Sequence, residues 1–449
     1  MLGEMQLPAD AYWGIHTERA LHNFPVTGLR CAPALVHALA QVKLACCQAN
    51  SELGYLDARM AQALAQACAE VAEGRWDGQF PLDALQGGAG TSLNMNLNEV
   101  LANRALEILG QPKGSYDVVH PLDHVNLHQS TNDVFPTAVK IAGIYGCREL
   151  SRTVAKLQGA MQRQEKAFAP IVKMGRTERQ LAVPMTLGAE FGAFAEAFAR
   201  DRWRTFKCEE RLRQVNLGGT AIGTGLAAPR RYIFLVIEKL REVTGLGVCR
   251  GENAVDQTAN ADAFVEVMGI VKALAVNLSK IGDDLRLLHM LGEIHLPAVQ
   301  AGSSIMPGKV NPVILESVIQ AAILAQSQEG VVSQCASRGT LQINEFLPLL
   351  AHAFLSSLTM LANAATMLAN HVDGIQARAD VCQRTVDTAP TNITAFLPAI
   401  GYEKAQALLA QFAQTGRDDF RQFLVEQLGA DLVAATLNPQ NLTSLGYRD

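Results

Sequence analysis

The stretch Thr258–Leu288, TANADAFVEVMGIVKALAVNLSKIGDDLRLL, decides the fold class. Its apolar residues Phe264, Val267, Met268, Val271, Leu274, Leu278, Ile281, Leu285 and Leu288 recur mostly at steps of three and four. That spacing puts them on one face of an α-helix. Four more segments carry long helical signals: Asp133 to about Ala167, Gly188–Val215, Pro312 to about Val332, and Phe346 to about Val372. All are longer than the average globular helix of about 12 residues. Strand signals are few, the plainest a short alternating piece near Val215–Thr220. The expected fold is all-α (mainly helical): a central elongated bundle of five long helices with smaller N- and C-terminal domains. The expected division is 1–130, 131–387 and 388–449.

Composition fits that picture. The chain has 449 residues, 49% hydrophobic and only 18% charged. An average soluble domain has about 25% charged residues. Scarce charge with this much apolar content excludes a disordered chain. A net charge of −5 and no Lys/Arg block argue against a nucleic-acid partner. Nine cysteines without a C-x-x-C pair suggest neither a disulfide framework nor a zinc ribbon, and fit a reducing cytoplasm. The N-terminal MLGEMQLPADAYWG has acidic residues and no long apolar run, so no signal peptide is expected. Phe346–Asn370 lacks Asp, Glu, Lys and Arg and is long enough to span a membrane. Its Pro348, His352, Ser356, Ser357, Thr359, Asn363, Thr366 and Asn370 fit a helix buried among helices better than one in lipid.

Three polar segments interrupt the helical pattern. The first, Gln86–Glu99, reads QGGAGTSLNMNLNE; its glycines let backbone N–H groups approach an anion, and Thr91 and Ser92 add hydroxyls. An ordinary turn is the alternative. The second, His128–Ala138, reads HQSTNDVFPTA and places Ser130, Thr131 and Asn132 before an apolar run. It is either a plain helix cap or a carboxylate site at a helix N-terminus. The third, Ala301–Val313, reads AGSSIMPGKVNPV and joins Ser303 and Ser304 to Lys309 and Asn311. An ammonium and an amide together can hold a carboxylate. Gly302 and Gly308 permit a mobile loop, catalytic loop 301–312, that closes over substrate. A serine there serves as a base only if its alkoxide is stabilised by nearby cations and N–H groups.

In this order and spacing the three segments resemble the signature regions of the aspartase/fumarase superfamily, with GSSIMPGKVNP close to its hallmark loop. PADAYWGIHTERALHNF, GGAGTSLNMNLNEVLANRA, KMGRT, AVPMTLGAEF and VNLGGTAIGTGL extend the resemblance over nearly the whole chain, closest to aspartate ammonia-lyase. The resemblance implies a lyase that eliminates ammonia or an amine from aspartate or an aspartate-like amino acid. Ser303 would remove the Cβ proton. Lys309 and Asn311 would bind one carboxylate, with Ser304 beside them. Thr91, Ser92, Ser130 and Thr131 would hold the other carboxylate and its doubly charged aci form. Asn132 and Thr177 would be further binding residues, and Arg19 would support the site. It also implies a small dicarboxylate or amino-acid substrate, no cofactor or metal, and a homotetramer with shared sites.

The chain departs from the superfamily pattern after KMGRT. A His or Gln is usual there, but this sequence reads Glu178-Arg179-Gln180-Leu181. Glu316 matches the glutamate that this residue would face. Three outcomes are open: the carboxylates share a proton, they receive a cationic part of an unusual substrate, or Arg179 neutralises Glu178. Ala227 replaces an asparagine, HPND becomes His120-Pro121-Leu122-Asp123, and the segment between Leu288 and Gly302 is short. These changes leave a related lyase with a different leaving group, fumarase-like or acting on a substituted substrate, as the alternative. A Ser/Lys hydrolase is disfavoured by the absence of a nucleophile-elbow motif around Ser303. A non-catalytic structural protein is disfavoured by the intact Ser303, Lys309 and Asn311. His120, His124 and His128 are spaced like metal ligands, but Pro121 disfavours a helix at His120. LGGTAIGTG (Leu217–Gly225) does not fit a dinucleotide fingerprint.

Overall fold

The computed structural model describes residues 3–442 together with Ser444 and Gly446. Five long helices run over Thr131–Ala167, Leu187–Leu212, Asp262–Met290, Val313–Ala336 and Leu347–Val372. All five segments read as helical from their spacing are helices. The Thr258 end of the deciding stretch is shorter than its pattern suggested. Ala254–Ala259 forms a separate short helix, capped by the Asn253 side chain, before the long one starts at Asp262.

The helix Thr131–Ala167 contains Pro136 near its start. Proline has no N–H, so the Asn132 carbonyl four residues back loses its helical donor. Asn216 Nδ2 donates to that carbonyl at 2.9 Å instead. The helix Leu347–Val372 has the length and hydropathy of a membrane span, yet 67% of its most apolar window is buried within the protein. Its hydroxyls are satisfied internally: Ser357 donates to the Ala353 carbonyl at 2.7 Å and Thr366 to Ala362 at 2.9 Å. It is a core helix.

Strands are few. Val172–Thr177 and Gln180–Thr186 form an antiparallel hairpin that the sequence reading did not place. Gln214–Val215 pairs with Cys249–Arg250 in parallel, and Ile294–His295 pairs with Gln376–Ala377 antiparallel. The first of these short pairs shares only Val215 with the expected alternating piece Val215–Thr220, whose remainder is turn and loop. The protein thus has a mainly helical, bundle-type fold.

The chain divides into two compact units. The first comprises the residues up to Ser151, Trp203–Ala273 and Leu324–Leu361; the second comprises Arg152–Arg202, Leu274–Ile323 and the residues from Ala362 onward. In the first unit Phe264 meets Phe354 edge-on, with centroids 5.4 Å apart. Gly143 lets the Phe354 ring approach, since a Cβ there would lie 2.6 Å from it. In the second unit the C-terminal helices form a core of Val386, Phe396, Leu408, Phe412, Phe420 and Phe423. Met174 of the hairpin is buried in that core.

Candidate active site

In the first unit, the Gly-rich segment and the start of the helix Thr131–Ala167 are brought together. Gly90 precedes the helix Thr91–Ile108 with φ of 92°, and a Cβ there would meet the Phe135 ring at 2.4 Å. Glycine is thus required twice, for the turn and for the close approach. Asn94 Nδ2, one turn into that helix, donates to Thr131 Oγ1 at 3.1 Å. Because Thr131 accepts there, its own hydrogen remains available for a ligand oxygen. Ser130 Oγ likewise accepts, from the Asn132 N–H at 3.2 Å. The Thr91 hydroxyl is committed differently: it donates to the Gly88 carbonyl at 2.6 Å and must rotate to donate to a carboxylate. Ser92 is half-buried in the same first turn. Asn132 Nδ2 donates to the Ala221 carbonyl at 2.7 Å, so one of its two amide hydrogens is already used.

The second segment is both a cap and a candidate site. Asp133 accepts the Ser130 N–H at 3.0 Å, closing a capping box. Its other oxygen accepts from Gly218 at 3.1 Å and Thr220 at 3.0 Å. The LGGTAIGTG loop therefore spends two of its N–H groups on Asp133. Burial pushes the Asp133 carboxyl up to about 7, against the pull of these N–H donors. His120 Nδ1 accepts from the N–H groups of Leu122 and Asp123, and His124 Nδ1 accepts from the His120 N–H. These histidines cap a turn.

Two residues that organise this half carried no sequence signal. Lys43 is 1% exposed and donates to Asn126 Oδ1 at 2.8 Å and Gln129 Oε1 at 2.9 Å. Burial pulls its ammonium down to about 8. Glu99 is buried and accepts the N–H groups of Gly14, His16 and Thr17, plus the Thr17 hydroxyl at 2.6 Å. It thereby caps the helix Ile15–Asn23, which carries Arg19. Arg19 itself donates to the Gly3 carbonyl and reaches none of the other candidate residues in the first unit by a hydrogen bond among the described residues.

In the second unit, the loop 301–312 is tied at its base. Gly302 N–H donates to the Lys309 carbonyl at 2.7 Å, and Asn311 Nδ2 donates to the Gly302 carbonyl at 2.9 Å. A Cβ on Gly302 would lie 2.8 Å from the Lys309 oxygen. Inside the loop, Ser303 Oγ accepts the N–H groups of Met306 at 2.9 Å and Ile305 at 3.2 Å. Two backbone dipoles thus point at the oxygen that would carry negative charge as an alkoxide. Ser304 and Lys309 are exposed, and Ile305 is 84% exposed.

Thr177 and Glu178 lie at the exposed tip of the hairpin. Glu178 and Arg179 form its two-residue turn, with φ of 52° and 64°. Turns of this kind favour Asn-Gly, because other residues are strained at positive φ. The hairpin root is pinned by buried charge: Glu293 pairs with Lys173 at 2.8 Å and Arg176 at 2.7 Å, and Lys173 with Glu190 at 2.6 Å. Arg179 and Pro312, the latter at the end of the loop, border one cleft of about 810 Å³. Lys173, Arg176, Lys280 and Arg286 also line it, against Glu190, Asp283 and Asp284. Glu178 makes no ion pair with Arg179 among the described residues; Glu316 lies 4.0 Å from Arg286.

The first unit presents the Ser130 and Thr131 hydroxyls at a helix start, and the second carries Ser303 on a Gly-tied loop. The class of protein is a lyase, shown by likeness to known proteins. The sequence matches the lyase family over residues 3–326. It is 40% identical to an aspartate ammonia-lyase of Bacillus sp., over 99% of this chain and 97% of that one. It is 43% identical to an aspartate ammonia-lyase of Corynebacterium glutamicum, over 100% and 87%. Among solved structures, a protein described as fumarate lyase:delta crystallin from Brucella melitensis, bound to cobalt, superposes with a TM-score of 0.94 at 42% identity, covering 99% and 98%. A class II fumarase from Schistosoma mansoni gives 0.90 at 30%, covering 98% and 97%. The chain belongs to this lyase family, within the aspartase/fumarase superfamily.

Proposed function

We propose that this chain is a carbon–nitrogen lyase that eliminates ammonia from L-aspartate to give fumarate. Ser303 removes the Cβ proton. The electron pair moves into the adjacent carboxylate, which becomes the doubly charged aci form. The pair then returns to form the Cα–Cβ double bond as the C–N bond breaks and ammonia leaves. Ser130 and Thr131, with Thr91 and Ser92, donate to the aci carboxylate. Lys309 and Asn311, with Ser304, hold the other one; Thr177 and Asn132 complete the binding set, and Arg19 supports it. Preorganised donors of this kind are usually the largest catalytic contribution. The observation that carries the reading is the pair of N–H donors on Ser303 Oγ, which favours the serine oxyanion. The active form is a cytoplasmic homotetramer.

A substituted aspartate with a cationic leaving group is the second reading. It is favoured by the exposed Glu178 carboxylate, which has no ion-pair partner among the described residues. Turnover of a panel of substituted succinates, followed by fumarate absorbance and product mass, separates the two. Ser303→Ala is expected to lower kcat by about a thousandfold or more while substrate still binds. Near-normal turnover by this variant would overturn the base assignment.

A further inference from the structure

We infer that Lys43 is a positioning residue for the carboxylate-binding turn Ser130–Thr131. Its buried ammonium holds that turn from beneath through neutral amide side chains. The inference rests on the proposed role of Ser130 and Thr131.

Two routes lead from Lys43 to the turn. The short one runs to Gln129 Oε1 at 2.9 Å, on the residue immediately before Ser130. The longer one runs to Asn126 Oδ1 at 2.8 Å. That oxygen also accepts from Asn94 Nδ2 at 3.2 Å and from Asn98 Nδ2 at 3.2 Å. Asn94 Nδ2 in turn donates to Thr131 Oγ1 at 3.1 Å. The Asn126 and Gln129 side chains also brace the backbone that leads into the turn. Asn126 Nδ2 donates to the Gln129 carbonyl at 3.2 Å, and Gln129 Nε2 donates to the Val125 carbonyl at 3.0 Å.

The arrangement is not that of an ordinary buried ion pair. A buried ammonium is normally matched by a carboxylate in contact. Here its contacts are amide oxygens. The buried acid of the neighbourhood, Asp133, is occupied by the N–H groups of Ser130, Gly218 and Thr220. The other titratable groups acting on Lys43 are the buried thiols Cys46 and Cys68. Positive charge is therefore left uncompensated by contact under a turn whose hydroxyl hydrogens are free. Such a charge attracts an anion bound above it more strongly than a solvated one would, because little water screens it. It also fixes which way Thr131 points, since Asn94 supplies that hydroxyl with its donor.

The test compares Lys43→Met, which keeps the length and removes the charge, with Lys43→Arg, which keeps the charge. Calorimetric titration with succinate, a dicarboxylate with no leaving group, reads binding without turnover. Lys43→Met is expected to lose about tenfold or more in succinate affinity, the scale of one bond to a charged group. Lys43→Arg should recover much of it. With aspartate as substrate, the loss should fall on kcat more than on KM, because the turn's donors act most on the aci form. If Lys43→Met does not fold, Asn94→Ala carries the test. It leaves the ammonium in place, cuts the route to Thr131, and should also weaken succinate binding. A folded Lys43→Met or Asn94→Ala protein binding succinate within twofold of the unmodified protein would overturn the inference. Unmodified protein that binds succinate but leaves aspartate and its analogues intact would overturn the proposed reaction while the Lys43 comparison still decides this inference. Unmodified protein that binds no dicarboxylate would overturn both.

Discussion

Ser303 and Thr131 use the same functional group in opposite senses. Ser303 Oγ accepts two N–H bonds, which prepares it to hold negative charge. Thr131 Oγ1 accepts from Asn94 and keeps its hydrogen to give away. Glu178 is one of the positions at which the sequence departs from the pattern it resembles. Glu178→Gln removes a carboxylate at the strained hairpin tip and is expected to raise kcat/KM for aspartate about tenfold, or to reveal activity if none is measurable. An unchanged or lower value in the coupled ammonia assay would show that the Glu178 carboxylate does not hinder aspartate turnover. The residues with recognisable chemistry, Ser303, Lys309, Ser130 and Thr131, were legible because polar groups cluster where a helical pattern stops. Lys43 was not. A lone lysine in an apolar helix reads as a solvated head group on a buried stem, and only the fold shows that the head is buried too.

Single glycines and turns govern how the elements meet. Gly90→Ala would force a Cβ into the Phe135 ring and an alanine into φ of 92°. Together these should destabilise the protein by about 2–4 kcal/mol, read as a lower denaturant midpoint at unchanged slope. The hairpin offers the reverse case. Replacing its turn by Glu178→Asn with Arg179→Gly relieves two positive-φ residues and should stabilise by about 1–3 kcal/mol in the same assay. The five long helices were legible because each repeats its apolar spacing over many turns. The hairpin was not, for two physical reasons. Pro184 interrupts its second strand, and Glu-Arg carries none of the usual turn chemistry. The strand pairing survives because Lys173 and Arg176 are pinned by Glu293, and Met174 by the C-terminal core.

Across the whole molecule, many ion pairs lie at the surface, but two arginines hold carboxylates that are largely buried. Arg104 holds the Glu70 carboxyl down to about 2, and Arg148 does the same for Glu209. Their ordinary value is 4.5, so both contribute stability above that pH, and the contribution is lost as pH falls through about 2. Acid unfolding followed by circular dichroism should therefore steepen between these values. Glu70→Gln should be less stable at neutral pH and show a shallower dependence in that window. The partition of the chain has a consequence for its history. All five long helices lend residues to both units, and each unit is assembled from three separate stretches. No single cut releases either one. A crossover at one point in such a chain would split both units at once, so neither half could be exchanged as an intact body.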